Sequence, residues 1–436
     1  MPPSHSDGRA SDASDVRSDV VVLGGGLAGC LAALAIHRRR PSARVVLVER
    51  AERLAGNHTW SCFANDVNVW AADCGTTGEA WTLLEPLIEK RWPSYLVKFP
   101  GSASGRDFER RIDSEYLTVT SDRLRDVTGR AFATSPTMEL RLNAEVASVR
   151  GDSGGTSVVL ETGERLRADQ VIDARGLPTT ADAGRCGFQK FLGQEVMVSG
   201  MASDAGEPAP LLMDACVPQD DGFRFMYALP LNGDRWLLED TSFSDGPALD
   251  TDDRRARIAA YASTLGLRIE RVIREEHGVL PMPWGLDPLG SDARSTDSKP
   301  TVIGYRASLF HAGTGYSLPF ALATATVVAR ADGAAFDNLR QSLSEQNRFF
   351  GVLNRLLFRG VRPERRHETF RRFYGLPDDT IGRFYAARCT RLDRARILLG
   401  KPPRQFRWKA LANSWRQSSR GSGVLSTTPE TREEAL

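Results

Sequence analysis

The chain has 436 residues, 41% hydrophobic and 26% charged, a globular composition long enough for two or three domains around a sizeable core. Its formal net charge of +2 is small for that length and excludes a whole-protein nucleic-acid footprint. The charge is unevenly placed: from Arg340 to Lys409 stand 18 Lys and Arg against 6 Asp and Glu, so the C-terminal quarter is a basic module. Only 6 of the 57 basic residues are lysine, a bias that points first to a GC-rich genome rather than to a demand for guanidinium groups. The cysteines, Cys30, Cys62, Cys74, Cys186, Cys216 and Cys389, form no close pair, which argues against a zinc ribbon or a disulfide framework and fits a reducing cytosol. Met1 to Ser18 lacks the basic start and apolar middle of a signal peptide, and apolar stretches such as Phe320 to Ala329 fall short of the ~20 residues of a spanning helix. The expectation is a cytoplasmic protein that does not cross a bilayer and is free to lie on one.

In chain order, residues 1–18 read as a disordered polar tail. Asp19–Leu23 is a β-rich run, Leu27–Arg39 has helical apolar spacing and Arg44–Glu49 is a second β-branched run, predicting a strand–helix–strand crossover with parallel strands. Residues 138–149, 155–161 and 169–174 read as short strands joined by turns at Gly154-Gly155 and Thr162-Gly163. Alternating segments at 188–200, 211–217, 223–231 and 235–243 predict a second sheet, and Thr251-Asp252-Asp253 starts a helix over 252–265. A strand at 300–305 and an apolar helix at 315–330 return to the first domain. From 334 onward helical spacing dominates, and 414–436 is again tail-like. The division is thus 19–180 with 300–335, then 181–299, then a basic helical region over 336–413.

Gly24-Gly25-Gly26-Leu27-Ala28-Gly29 is a Gly-x-Gly-x-x-Gly turn between the first strand and helix. Gly24 permits the tight turn, Gly26 lets backbone approach a pyrophosphate, and Gly29 allows close helix–strand packing, with free helix N–H groups facing the anion. Glu49 ends the second strand, placed to accept from a ribose hydroxyl and to disfavour a 2′-phosphate. The motif alone does not separate NAD from FAD. Val171-Ile172-Asp173-Ala174-Arg175-Gly176 resembles the strand end that contacts FAD in flavoproteins of the para-hydroxybenzoate-hydroxylase type. Where those hydroxylases carry Gly-Asp, this chain has Gly304-Tyr305, and the later Gly313-Thr314-Gly315 approach to a helix offers backbone N–H groups to a flavin instead.

Several phrases together resemble bacterial lycopene cyclases of the CrtY type: Gly56-Asn57-His58-Thr59-Trp60, Phe191-Leu192-Gly193-Gln194-Glu195, Leu212-Met213-Asp214 with Asp221-Gly222-Phe223-Arg224-Phe225, and Leu238-Glu239-Asp240-Thr241. Gly278-Val279-Leu280-Pro281, Phe310-His311, Thr314-Gly315-Tyr316-Ser317-Leu318-Pro319, Phe373-Tyr374 and Gly400-Lys401-Pro402-Pro403 extend the match over about residues 19–408 in order. The resemblance implies an α/β protein: a discontinuous Rossmann-like FAD-binding fold, an inserted mainly β substrate domain and a helical C-terminal region. It also implies a redox-neutral enzyme that closes β-ionone rings on the ψ-ends of lycopene, giving γ-carotene and then β-carotene. Reduced FAD is required, and NADPH is its usual electron source. Such a reaction adds a proton to a terminal alkene, closes a ring on the tertiary cation and loses a ring proton, so the site needs an acid, a cation-stabilising wall and a base.

By that resemblance Glu195 is the first choice for the acid or for cation stabilisation. Its apolar segment Gln189 to Val196 would raise a carboxyl pKa by desolvation. Glu239 and Asp240 match an acidic motif, and because neighbouring strand residues face opposite ways, Glu239 is favoured for the site. His58 is read either as a proton carrier beside the flavin or as a loop histidine, with no metal-ligand spacing around it. Trp60, Phe225, Tyr227 and Tyr316 are either core or the walls of a polyene tunnel. A flavin hydroxylase or oxidoreductase acting on an apolar substrate is the alternative reading. Lycopene is insoluble in water, so it must arrive from a bilayer or from a preceding carotenoid enzyme. Phe349, Phe350, Leu353, Leu356, Leu357 and Phe358, flanked by Arg348, Arg355, Arg359, Arg362, Arg365 and Arg366, therefore fit either an interfacial helix on anionic lipid or a core helix over the tunnel.

Overall fold

Runs of β-branched residues flanking a glycine turn build the first sheet. In the computed structural model, which describes residues 16–101, 105–152, 155–176, 186–200, 208–284, 300–399 and 405–418, Val16–Leu23 and Val45–Val48 pair in parallel across the crossover helix Leu27–Arg39. The full order is Met138–Arg141, Val45–Val48, Val16–Leu23, Arg165–Asp173, Gly155–Leu160, Val146–Asp152, with Thr301–Val302 parallel to the end of Arg165–Asp173. Alternation divides the central strands between two cores: Val20, Val22, Val45 and Leu47 face the helices, while Val21, Leu23, Val46 and Val48 face the hairpin side. The helix Leu318–Ala329 packs on Leu27–Arg39, and all twelve of its residues are buried. Its apolar run is a core helix, and among the described residues no helix is long and apolar enough to cross a membrane.

The second sheet runs Arg268–Pro283, Cys186–Ser199, Arg235–Ser244, Phe223–Pro230, Leu211–Asp214, Tyr95–Phe99, Phe108–Ile112. Its last two strands come from inside the stretch 19–180 that the sequence reading gave wholly to the first domain, because Leu211–Asp214 needs a partner and finds Tyr95–Phe99 in parallel. A small third sheet, Thr59–Phe63, Tyr116–Thr120 and Lys90–Trp92, joins the two halves. The ends also differ from expectation. The first strand starts at Val16, where pairing with Leu166 to Ala168 recruits residues read as tail, and the helix Trp408–Ser418 runs past 414. Residues 1–15, 419–436, Gly154 and the phrase Gly400-Lys401-Pro402-Pro403 lie outside the described residues.

The C-terminal helices fold back on the second sheet. Phe349, Phe350, Leu357 and Phe358 are buried, Phe350 stacking on His311 with centroids 4.0 Å apart. Arg366 is 0% exposed, donating to the Phe243 carbonyl at 2.8 Å and to Asp245. The interfacial-helix expectation for 349–366 is therefore corrected: most of the stripe and two of its flanking arginines, Arg355 and Arg366, are interior, Phe349 and Phe350 joining the helix-side core of the first sheet and Leu357 and Phe358 the aromatic core of Phe99, Phe223 and Tyr374.

Candidate active site

Between the second sheet and these helices lies a cavity of about 390 Å³. Phe225, Tyr227, Glu239 and Phe243 line it from the sheet, Gly313, Thr314 and Tyr316 from the loop before Leu318, and Leu353, Leu357, Phe370, Phe373, Phe384 and Tyr385 from the helices. The walls are mostly apolar, with Gln189, Asn354, Thr369 and Arg372 among the polar exceptions, and Tyr227 and Tyr316 hold their hydroxyls 3.0 Å apart with Tyr116 behind them. Phe225, Tyr227 and Tyr316 line this cavity. Trp60 does not: it is half-buried, packs against the helix-side core of the first sheet and tilts over His58 at 5.9 Å.

Strand alternation decides between the adjacent acids. Asp240 turns away from the cavity into a buried clamp, with Arg224 Nη2 at 2.7 Å and Arg254 Nη1 at 2.8 Å. Glu239 faces the cavity, its Oε1 accepting from Thr241 Oγ1 at 2.5 Å. Burial, reinforced by the neighbouring Glu276, pushes its carboxyl up to about 8. Glu276 is 4% exposed, and burial raises its carboxyl too, against the opposing pull of Arg274 and hydrogen bonds from Thr59. Gly193 pairs with Glu239 on one side and Glu276 on the other. A Cβ there would lie 3.2 Å from Glu239 Oε2 and 3.4 Å from Glu276 Cγ, so any larger residue would crowd the two acids by a few tenths of an ångström. The sequence reading missed Glu276; no phrase marked it, although its place beside Gly193 follows once the strand Arg268–Pro283 is paired.

Glu195 sits one pleat farther along the same sheet face and does not line the cavity. Arg235 Nε lies 3.0 Å from its Oε1 and Arg274 Nη2 3.3 Å from its Oε2, so both oxygens are taken by guanidinium groups from other strands. Glu195 is thus ion-paired outside the cavity lining, and of the acids expected at the site Glu239 is the one that reaches the cavity. Arg274 also donates to Asn57 at 3.1 Å and to Thr59 at 2.7 Å, tying the sheet to the loop that carries His58. His58 is exposed on one side and outside the cavity lining, and burial of its ring, then Arg274 and His277, hold its imidazole below the ordinary range.

At the first sheet Gly24 has φ of +96°, the left-handed turn that glycine adopts without strain, and its N–H donates to the Val48 carbonyl at 2.8 Å. A Cβ on Gly29 would meet the Gly24 carbonyl at 1.8 Å, while one on Gly26 would meet nothing within 4 Å. Gly26 therefore opens on free space at a helix N-terminus with no side-chain cap, a cradle that fits a pyrophosphate. Glu49 lies beside this turn, accepting from Gly25 N–H at 2.5 Å and Ala51 N–H at 2.8 Å. Two other expected cofactor contacts are engaged within the protein. Asp173 is held by Arg175 at 2.9 and 2.7 Å. The Gly313 N–H donates to His311 Nδ1 at 3.0 Å, and the Thr314 and Gly315 N–H groups to the His311 carbonyl. His311 is thereby the clamp of that loop, its Nε2 bonded to the Phe384 carbonyl at 2.8 Å, and burial presses its pKa down to about 4.

Residues 19–410 match the family described as lycopene cyclase protein. The chain belongs to the lycopene cyclase family. It is 38% identical over 407 residues to a lycopene beta-cyclase of Pseudescherichia vulneris, covering 91% of this chain and 97% of that one. A lycopene beta-cyclase of Pantoea ananas is 36% identical over 392 residues, 88% and 95% of the two chains. Among solved structures, a flavin-dependent brominase, Bmp2, superposes with a TM-score of 0.54 at 17% identity, covering 93% of this chain and 99% of that one, a likeness of fold.

Proposed function

We propose that the protein is a lycopene beta-cyclase that converts the ψ-ends of lycopene to β-ionone rings through γ-carotene to β-carotene in carotenoid biosynthesis. The observation that carries this reading is a protonatable carboxyl, Glu239, facing a cavity walled by hydrocarbon and aromatic rings. Burying a polyene against such walls contributes roughly 25 cal/mol per Å² of apolar surface. The neutral Glu239 carboxyl gives its proton to the terminal alkene, forming a tertiary cation. Ring faces of Phe225, Tyr227 and Tyr316 stabilise that cation by about 0.5–2 kcal/mol each where they are desolvated. The neighbouring double bond closes the ring, and the ring proton lost returns to the Glu239 carboxylate, so the enzyme ends as it began.

We assign the first sheet and its helices to FAD, with the Gly24 to Gly29 turn and the N-terminus of Leu27–Arg39 holding the pyrophosphate and Glu49 beside the ribose. Bound in its reduced form, the flavin supplies negative charge that favours a cation, with NADPH as the reductant. Glu195 acts through Arg274, holding that guanidinium between itself, Glu276, Asn57 and Thr59. His58, outside the cavity lining, takes no proton step in this scheme. We further propose a peripheral contact with membrane through the rim of the cavity. Leu398 and Trp408 both line the cavity and face solvent, at 45% and 65% exposure, and Leu399 beside them is 83% exposed.

The test is incubation of FAD-loaded protein with NADPH and lycopene in vesicles, run in parallel without oxygen and in air. γ-Carotene and then β-carotene of the same mass as lycopene are expected. A product carrying added oxygen would replace the cyclase with a hydroxylase.

A further inference from the structure

The second buried acid at the sheet face has no part in the scheme above, and its surroundings are unusual enough to call for one. Glu276 and Glu239 belong to strands on either side of Cys186–Ser199, and each pairs in register with Gly193. The hypothetical Cβ at 3.2 Å from one side chain and 3.4 Å from the other shows both acids leaning over the same vacant spot. Behind Glu276, Arg274 Nη1 lies 3.4 Å from Oε2 and Thr59 adds hydrogen bonds, so on that side a cation and donors favour its carboxylate against the burial that raises its carboxyl. Among the described residues no guanidinium stands at bonding distance from Glu239; it has a hydroxyl donor, Thr241, and the mostly apolar cavity.

We infer that Glu276 is a positioning residue that, across Gly193, keeps the proton on Glu239 between turnovers. The inference rests on Glu239 being the acid. An anion fixed a glycine's width away disfavours a second anion, as in other closely spaced carboxyl pairs, so the proton taken from the ring is drawn back to Glu239 rather than lost along the cavity. The other charged groups near Glu239 are Asp240 on its own strand, itself clamped by Arg224, and Arg254 from the helix Thr251–Thr264, whose opposite signs offset one another. Glu276, drawn toward its carboxylate by Arg274, is the neighbour that raises the Glu239 carboxyl most after burial itself. Thr59, on the strand joining the two halves of the molecule, ties its position to the cofactor side.

The experiment is the pH dependence of β-carotene formation by FAD-loaded wild type, Glu276→Gln, Glu276→Asp, Gly193→Ala and Glu239→Gln. In wild type the rate should fall as pH rises through the range in which Glu239 loses its proton. Glu276→Gln should move that alkaline limb down by roughly one pH unit with FAD content unchanged. Glu276→Asp should restore most of the displacement. If Glu276→Gln does not fold, Gly193→Ala, whose methyl wedges between the two acids, should move the limb instead. A Glu276→Gln enzyme whose rate falls equally at every pH, with the limb unmoved, overturns the inference and leaves Glu276 a structural residue. Full activity of Glu239→Gln would overturn the acid assignment itself, so the two failures are told apart.

Discussion

At the scale of single residues, Glu239 and Asp240 show how one bond along a strand separates two chemistries. Both are acids in an apolar phrase, yet one meets two arginines and the other a hydrocarbon cavity. Alternation predicted that they part; which neighbours each would meet depended on the helix Thr251–Thr264, which brings Arg254. Replacing Glu239 by Gln keeps its volume and removes the proton, so β-carotene formation should fall by roughly 10²- to 10⁴-fold with FAD still bound. Chromatography of carotenoids from a lycopene-accumulating host, at matched protein level, reads the outcome, and wild-type yield would remove Glu239 from the mechanism. Glu195 differs in kind. Glu195→Gln frees Arg235 and Arg274, and should lower turnover through misplacement of Arg274, whereas exchange of Glu195 for Asp should recover part of it.

At the scale of elements, the strands of the first sheet and four of the second, Cys186–Ser199, Leu211–Asp214, Phe223–Pro230 and Arg235–Ser244, were legible because β-branched alternation and glycine turns are local properties, whereas Tyr95–Phe99, Phe108–Ile112 and Arg268–Pro283 went unread. The sequence ran 138–149 as one strand where the structure breaks it at Arg141 and resumes at Val146, with the left-handed Asn143 (φ of +53°) between. The C-terminal helices were not legible in this way. An apolar stripe states only that a helix needs an apolar partner, and a lipid surface and an aromatic core satisfy it equally. Arg366 separates the two: on a membrane face its loss would weaken lipid binding, but here it is enclosed and bonded to the Phe243 carbonyl and Asp245. Arg366→Gln should therefore destabilise the fold by about 3–5 kcal/mol, seen as a lower denaturation midpoint. The rim behaves oppositely. Changing Leu398, Leu399 and Trp408 together to Ser should leave the denaturation midpoint nearly unchanged and cut co-sedimentation with anionic vesicles; equal sedimentation of variant and wild type would dismiss the rim as the membrane contact.

At the scale of the whole molecule, the raised Glu239 carboxyl links stability to pH. Its folded pKa, about 8, lies above the ordinary value of 4.5, so the folded state holds a proton that the unfolded chain releases between those limits. Stability is therefore greatest from this group below pH 4.5 and is lost as pH rises toward 8. The variant Glu239→Gln has no such proton to lose. It should be more stable than wild type at pH 8 by an amount on the order of 1–4 kcal/mol, with the difference fading toward pH 5 in paired denaturation curves. Gly26→Val tests the other half of the molecule, since its side chain would fill the open space at the helix N-terminus. Purified variant should lack the yellow absorbance of FAD, and full flavin content would refute the cradle.

The glycine turn, the crossover it opens and the acid that ends the second strand were readable from residues 19–49 alone. They follow from steric limits on φ and from the four N–H groups that a helix start leaves free, both settled within a few residues. The order of phrases from Gly56 to Tyr374 likewise carried the family. The working acid was decided elsewhere. Glu195 and Glu239 lie on the same sheet face in similarly apolar segments, and the arginines that occupy Glu195 come from Arg235 and Arg274, on two other strands. Glu276 entered the site only when its strand paired across Gly193, and the aromatic helices became cavity walls only when they closed on that sheet. Charge pairing and desolvation act through space between residues distant in the chain, so local pattern proposed the candidates and the tertiary structure chose among them.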